Sequence, residues 1–453
     1  MASWNQVSNV ISAVTSQMFG QCVNKIEINA VNIKYTGCDQ KRIYLVTWNV
    51  HGSRPPSHLA DLLSLNETQL PDVYAIGLQE MGYDSWENAF VQILQRHDYV
   101  KLKSRQLLGI CMMLFVKRSH LPYVYNIESE VTKTGFRGMW GNKGASSVRL
   151  DFMGMNLIVV NSHLAAHKES IRERIVNIDN ILDGQKFRDR DTDNIMDHDY
   201  VFWIGDLNFR LENISYNRTL DLIHDEDYKT LAENDQLRLI MEEGLAFEGF
   251  HEGELNFPPT YKFNAGTDSY DTSPQRRIPS YTDRILYHFH DTQYGKVRLG
   301  AKLLEYRCHP NFMNSDHKPV TAVIDINVMS RGITSPVTFD VGQQPWDKRM
   351  SRDVAYNVRK DFAVSISDWI GIYKADFVDI HSPESYVWTA LNSAAEKNSP
   401  SAIKMVVQFT SVHLSGLPDG RYVLCYLTRK GSLSGISRTF TIGIARSIEA
   451  TGV

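Results

Sequence analysis

Between positions 41 and 328, apolar and polar residues follow two periods that alternate along the chain. Short, mainly apolar runs at residues 43–50, 157–161, 201–204 and 320–326 predict buried strands. Helix-period segments lie between them. Ile171, Ile175, Ile178 and Leu182 share one face of a helix, with Arg172, Glu173 and Arg174 among the intervening positions. Trp86, Phe90, Ile93 and Leu94 make a second apolar stripe of the same kind. Upstream, Val7, Val10, Ile11, Val14 and Met18 recur at helical spacing. They predict a short amphipathic helix in an N-terminal extension, residues 1–40, packed on the main domain.

After Met329 the pattern changes. Ser330-Arg-Gly-Ile-Thr-Ser-Pro336 reads as a linker, placed at residues 329–336. Strand-like runs then follow at residues 337–341, 363–366, 369–373, 405–409, 422–427 and 438–442. Turn signals such as Pro418-Asp-Gly420 and Lys430-Gly431 separate them. The expected organisation is an α/β domain over residues 1–328 and a small all-β sandwich over 337–446.

Composition narrows this picture without redrawing it. With 453 residues, 43% hydrophobic and 22% charged, the chain can bury a sizeable core, which argues against a coiled coil, collagen or global disorder. The five cysteines are scattered with no Cys-x-x-Cys pair, so neither a disulfide framework nor a structural zinc site is expected, and a reducing compartment is the default. No apolar run reaches the length of a membrane span, and residues 1–20 lack the pattern of a signal peptide. The net charge is −4. Residues 331–453 hold 14 Lys+Arg and 11 Asp+Glu, an excess of +3, so the first 330 carry −7. A nucleic-acid coat is therefore not expected.

The candidate chemistry sits at the ends of the apolar runs. In order these carry Thr47-Trp-Asn49, Gln79-Glu80, Asn161-Ser-His163, Gly205-Asp206-Leu-Asn208, Tyr281-Thr-Asp283-Arg284 and Ser315-Asp316-His317. Taken singly, an Asp or Asn after a strand is usually a turn or cap residue. Six such clusters at strand ends that one rim would gather suggest a site instead. Oxygen donors without cysteine suit Mg²⁺, and a carboxylate with an Asn and two His beside it suits hydrolysis of a phosphate ester.

Two strings carry a resemblance. Phe202-Trp-Ile-Gly-Asp-Leu-Asn-Phe-Arg210 and Arg277-Ile-Pro-Ser-Tyr-Thr-Asp-Arg-Ile-Leu286 resemble the signature motifs of the inositol polyphosphate 5-phosphatases, and the other strand-end clusters match in order over residues 40–328. The resemblance implies a four-layer α/β sandwich of the deoxyribonuclease I and apurinic endonuclease type. It implies a Mg²⁺-dependent phosphatase that removes the 5-phosphate of phosphoinositides, with soluble inositol polyphosphates as further substrates. Glu80 and Asn49 would hold the metal, with Asp316 on the metal side. Asp206 would take a proton from the attacking water, and Asn208 would position that water. His163 and His317 would contact the scissile phosphate, and Asp283 would fix the His317 ring.

The same resemblance assigns Asn142 and Lys143 to the 1-phosphate, and Tyr261, Lys262 and Arg277 to the 4-phosphate. The sequence has Gln275 where the family commonly has Lys, with Arg276 beside it as a compensating cation. Phe136, Met139 and Trp140 form an apolar tip read as a membrane contact. Trp369-Ile-Gly-Ile-Tyr373 and Gly420-Arg-Tyr-Val-Leu-Cys-Tyr426 resemble the SKICH domain, an immunoglobulin-like module that implies targeting to membranes or protein partners. A monomer is expected, cytoplasmic and recruited peripherally to the plasma membrane or endoplasmic reticulum. Two other readings compete: a nuclease of the related endonuclease type, and a scaffold with a dead catalytic domain.

Overall fold

The computed structural model describes residues 38–135, 140–188, 192–329, 335–360, 362–389, 393–398, 402–429 and 431–444. The expected N-terminal helix, Phe136, Met139 and most of the linker lie outside these residues, as does the Trp140 side chain.

Two six-stranded sheets stack face to face. The first contains β1 (Cys38–Asn49), β2 (Val73–Gln79), β3 (Tyr99–Leu107), β4 (Ile110–Lys117), β13 (Ala301–Cys308) and β14 (Val320–Met329), in the order β13-β14-β1-β2-β4-β3. The second contains β5 (Val124–Thr134), β6 (Trp140–Phe152), β7 (Met155–His163), β8 (Tyr200–Asp206), β9 (His251–Glu252) and β10 (Asp283–Phe289), in the order β5-β6-β7-β8-β10-β9. A two-residue hairpin, β11 (Gln293–Tyr294) and β12 (Val297–Arg298), precedes β13.

Each sheet buries both faces, which is why its strands read as apolar runs rather than as alternation. Leu45, Ala75, Leu114, Val159, Phe202 and Ile204 fill the space between the sheets. On the outer face of the first sheet, Tyr44, Trp48 and Ile76 pack on Trp86, Phe90 and Leu94 of helix α1 (Ser85–Leu94). On the outer face of the second, Ile158, Val160 and Trp203 pack on Ile178 and Ile181 of α2 (Ile171–Gly184). The result is the expected four-layer sandwich, helix–sheet–sheet–helix, with each buried Leu, Ile or Phe contributing roughly 1.5–3 kcal/mol.

One helix face differs from expectation. Arg174, read as a polar spacer, is fully buried, while Ile171, Ile175 and Leu182 are only partly covered. The terminal nitrogens of Arg174 find partners locally, although its Nε does not. The guanidinium donates to the carbonyls of Ala165 and His167 and to Gln236 Oε1, and lies 4.9 Å over the Phe209 ring.

The C-terminal region is all-β. A four-stranded sheet, β15-β17-β21-β20, uses β15 (Val337–Asp340), β17 (Arg352–Arg359), β20 (Ser393–Asn398) and β21 (Ala402–Phe409). A second sheet holds β16 (Trp346–Asp347), β18 (Trp369–Lys374), β19 (Ser385–Trp388), β22 (Gly420–Leu427), β23 (Leu433–Ile436) and β24 (Phe440–Gly443). Residues 363–366, expected as a strand, form a bend instead. Asp368 closes it by accepting from Ser365 N and donating its own N–H to Ser365 O, which leaves Ile366 83% exposed.

This region is fused to the first by more than a linker. Lys101 of β3 makes a parallel bridge to Asp379, its N–H donates to Val378 O at 2.9 Å, and its ammonium lies 2.7 Å from Asp379 Oδ2 and also binds Glu87. Arg118 donates to Ala375 O and Phe377 O and stacks 5.2 Å over the Phe377 ring. Tyr373, Phe377, Ile380, Val423, Cys425 and Leu427 continue the apolar cluster between the two six-stranded sheets. These contacts gather at the end of β3 and β4 opposite their Leu107–Ile110 turn. Among the described residues no helix is long and apolar enough to cross a membrane.

Candidate active site

Strand direction gathers the six clusters. β1 and β2 run parallel, with Asn49 paired to Gln79 and Glu80 next in the chain. β7 and β8 run parallel, with His163 paired to Asp206. β10 runs antiparallel to β8 and begins at Asp283, opposite Asp206. β14 runs antiparallel to β1, so Asp316 and His317 just before it reach the same rim. Each sheet thus delivers carboxylates and a histidine to one end of the sandwich.

The backbone there is held in uncommon conformations. His51, Glu80 and Asn208 have φ of 46°, 53° and 58°, the left-handed region that non-glycine residues avoid and that functional sites tolerate. Gly205, with φ 146°, is required where it stands. A Cβ on it would lie 2.0 Å from Ser162 O, so only glycine lets β8 approach β7 beside Asp206.

Asp206 is the centre of the cluster. Its Oδ2 accepts from Asn49 Nδ2 at 2.9 Å and lies 3.2 Å from His163 Nε2 and 3.9 Å from His317 Nε2. Its Oδ1 accepts from Asn208 N at 3.1 Å. Burial opposes its charge, but His163, His317 and Lys143 outweigh burial and hold its carboxyl well below the usual range. Asn49 also donates to Glu80 Oε1 at 3.3 Å, and its Oδ1 accepts from His51 N at 3.0 Å.

The two histidines are shifted in opposite directions. Burial also works against charge on His317, yet Asp283, Asp206 and Asp316 raise its pKa to about 9. Its Nδ1 donates to Asp283 Oδ2 at 2.9 Å, and that fully buried carboxylate also accepts from Thr260 and Thr282. His163 is depressed by burial and then by Lys143, whose Nζ contacts His163 Nε2, against the upward pull of Asp206 and Glu80. Burial likewise depresses Lys143 itself.

The other expected residues divide into two groups. Lys143, Tyr261 and Lys262 join the cluster. The Tyr261 ring lies 4.3 Å from His317, and Lys262 Nζ lies 2.6 Å from Asp316 Oδ2. Asn142 is exposed beside Lys143. Arg276 and Arg277 sit on the adjoining exposed loop, with Arg276 5.8 Å over the Tyr216 ring and Arg277 3.7 Å from Asp271. Asn208 is committed to Leu164 O and Arg210. Gln79 and Asn161 lie beneath the rim and tie the two sheets together through a 2.6 Å hydrogen bond.

Sequence reasoning gave no role to two residues that the structure places here. Arg210 donates to Asn208 Oδ1 at 2.6 Å and lies 4.4 Å over the Tyr261 ring. It was visible only as the last letter of a motif. His51 lies 3.2 Å from Glu80 Oε2 and 3.6 Å from Asp316 Oδ1. Its place two residues after Asn49 was the available signal.

Asp206, Asp283 and His317 offer ligand atoms within 4.8 Å of one another, so a divalent cation fits the rim. Asp283 is already saturated by His317, Thr260 and Thr282, however. The open oxygen donor is Glu80, whose side chain is 41% exposed and whose carboxyl His163 and Asn49 hold below the usual range against the opposing effect of burial. An ionised, accessible oxygen ligand among oxygen-bearing neighbours suits a hard cation.

Comparison with known proteins gives the family. The profile of Endonuclease/Exonuclease/phosphatase family 2 matches residues 46–323, and that of the SKICH domain matches 337–442. Mouse inositol polyphosphate 5-phosphatase K is 33% identical, over 89% of this chain and 90% of its own. The chain belongs to the inositol polyphosphate 5-phosphatase family. Mouse phosphatidylinositol 4,5-bisphosphate 5-phosphatase A is 34% identical over 90% of this 5-phosphatase, which spans only 42% of that longer relative. The crystal structure of a synaptojanin 5-phosphatase domain, in complex with inositol (1,4)-bisphosphate and calcium ion, is 34% identical. It superposes with a TM-score of 0.58, covering 68% of this 5-phosphatase and 90% of that chain.

Proposed function

We propose that this enzyme hydrolyses the 5-phosphate of phosphatidylinositol 4,5-bisphosphate and 3,4,5-trisphosphate, and of soluble inositol polyphosphates, by direct attack of water. The observation that carries the reading is the Asp206 carboxylate, buried between His163 at 3.2 Å and a cationic His317 at 3.9 Å. A water beside Asp206 gives up its proton to that carboxylate as its oxygen bonds to phosphorus, the bond from phosphorus to the inositol 5-oxygen breaks, and the leaving oxygen takes up a proton from solvent. His317, charged and braced by Asp283, binds the phosphate oxygens and stabilises the charge that builds on them. His163 and Lys143, in contact through His163 Nε2, meet a second oxygen of the phosphate as the anion approaches. Arg210, braced by Asn208 Oδ1, binds the phosphate, and the Asn208 N–H orients the Asp206 carboxylate that takes the proton. Glu80 and Asn49, with Asp316 alongside, would hold a Mg²⁺ ion, which when bound neutralises charge on the scissile phosphate.

Lys143 and Asn142 face the 1-phosphate in this reading, and Tyr261 and Lys262, with Arg276 and Arg277 from the loop, face the 4-phosphate. The tip with Phe136, Met139 and Trp140 meets the bilayer. The catalytic unit comprises residues 1–328, and the SKICH domain, residues 337–446, directs a monomeric, cytoplasmic enzyme to membranes or partners. Phosphate release across a panel of inositol lipids and soluble inositol phosphates, with and without Mg²⁺, tests the assignment. Asp206→Ala should lose about 10²–10⁴-fold in rate, as for loss of a general base. Equal release by wild type and Asp206→Ala would overturn the reading.

A further inference from the structure

We propose that His51 supplies an imidazole nitrogen to the divalent-cation site headed by Glu80, so that this site takes Mn²⁺ in preference to Mg²⁺. The inference rests on the reading of Glu80 as a metal ligand, and it adds a donor of a different chemical kind.

The geometry points to this in three ways. First, His51 Nδ1 lies 3.2 Å from Glu80 Oε2. Two neighbouring ligands at roughly 2.1 Å from a cation, set at right angles, lie about 3 Å apart, so this spacing is that of adjacent ligands on one ion. Second, the ring is presented rather than loosely placed. His51 N donates to Asn49 Oδ1 at 3.0 Å, and Val50 N and Gly52 N on either side donate to Gln79 O and Glu80 O at 2.9 Å each. These bonds pin the turn to the end of β2 and hold His51 at φ 46°, a conformation a histidine adopts at a cost. Third, no burial demands the ring there. Its side chain is 55% exposed, so core packing does not explain its position; its Nδ1 instead hydrogen-bonds Glu80 Oε2, a contact that a cation shared by the two groups would replace.

The chemistry follows from the donor types. Mg²⁺ favours oxygen ligands and keeps much of its water, whereas imidazole suits the first-row transition cations. Asp316, 3.6 Å from the same nitrogen, adds negative charge without displacing either ligand.

The full-length enzyme titrated with Mn²⁺ and followed by continuous-wave and pulsed electron paramagnetic resonance tests this directly. Wild type should bind Mn²⁺ more tightly than Mg²⁺ in competition and show nitrogen modulation from a directly coordinated imidazole. His51→Asn should lose that modulation and bind Mn²⁺ on the order of tenfold more weakly, the low end of what losing even an outer partner of a metal ligand costs. Its Mg²⁺ affinity should change less than Mn²⁺ affinity does. Nitrogen modulation that persists in His51→Asn, or is absent from wild type while Glu80→Gln still abolishes binding, overturns the role of His51 and leaves Glu80 in place. Mn²⁺ binding unaffected by Glu80→Gln overturns the Glu80 reading and this inference with it.

Discussion

Replacing Asp283 with Asn isolates the electrostatic part of the site. The substitution keeps shape and removes one charge from a residue that is fully buried and whose Oδ2 sits 2.9 Å from His317 Nδ1. In the wild type, His317 titrates at about 9 because Asp283, Asp206 and Asp316 together overcome burial. The shift is upward, so the charge is present at neutral pH and is lost as pH rises through about 9. At pH 7.5 roughly thirty rings are charged for each neutral one. Without the Asp283 charge, burial and the remaining carboxylates oppose each other, and a ring returning to its ordinary value near 6.5 would be only about one-tenth charged at pH 7.5. If the charged ring is the active form, kcat/KM on a soluble substrate should be almost unaffected at pH 6, fall about tenfold at pH 7.5, and fall more than roughly fiftyfold at pH 8.5. The ratio of wild type to variant, measured across pH 6–9, cancels other titrations common to both. A deficit of the same size at every pH would mean that Asp283 only orients the ring, and no deficit would remove His317 charge from the mechanism.

Three further outcomes follow from the packing. Lys101→Ala strands Asp379 and Glu87 at the junction between the two domains and should cost on the order of 3 kcal/mol, read as a lower urea midpoint; adding Asp379→Ala should cost little more, and full additivity would show that the pair is not coupled. His198 is buried beside Arg149, and its pKa is pushed down to about 4, so the unfolded chain takes up the proton first and stability falls as pH drops below about 6.5. The loss should be about 2 kcal/mol between pH 7.5 and 5, and His198→Gln should remove that part of the pH dependence in denaturant melts; an unchanged slope would assign it elsewhere. Gly205→Ala must push β8 off Ser162 O and shift Asp206, so turnover should drop by about a hundredfold while circular dichroism stays close to wild type; retained turnover would mean the strand relaxes without moving the carboxylate.

Local order explains what was readable and what was not. The apolar runs became β1, β7, β8 and β14 because sheets covered on both faces need continuous apolar strands. β17 escaped notice although Val354, Tyr356 and Val358 alternate inward, because charged residues flank that short alternation. Residues 363–366 looked like a strand because side-chain type alone carries no record of the Asp368 hydrogen bonds that bend them.

The sequence by itself determined the class of fold, the two-part organisation, and the residue types that strand ends would bring to the rim. Those properties are written in nearest-neighbour order, where period and spacing suffice. The tertiary structure alone decided how those groups act on one another. Asn49 and Asp206, separated by 157 positions, meet at 2.9 Å, and Asp283 raises the pKa of His317 while burial and Lys143 depress that of His163. The same holds for His51 beside Glu80, Arg174 bound to Gln236 inside the fold, and Lys101 joined to Asp379 across the domains. Charge state and burial depend on distances through space, and only the folded chain fixes those distances.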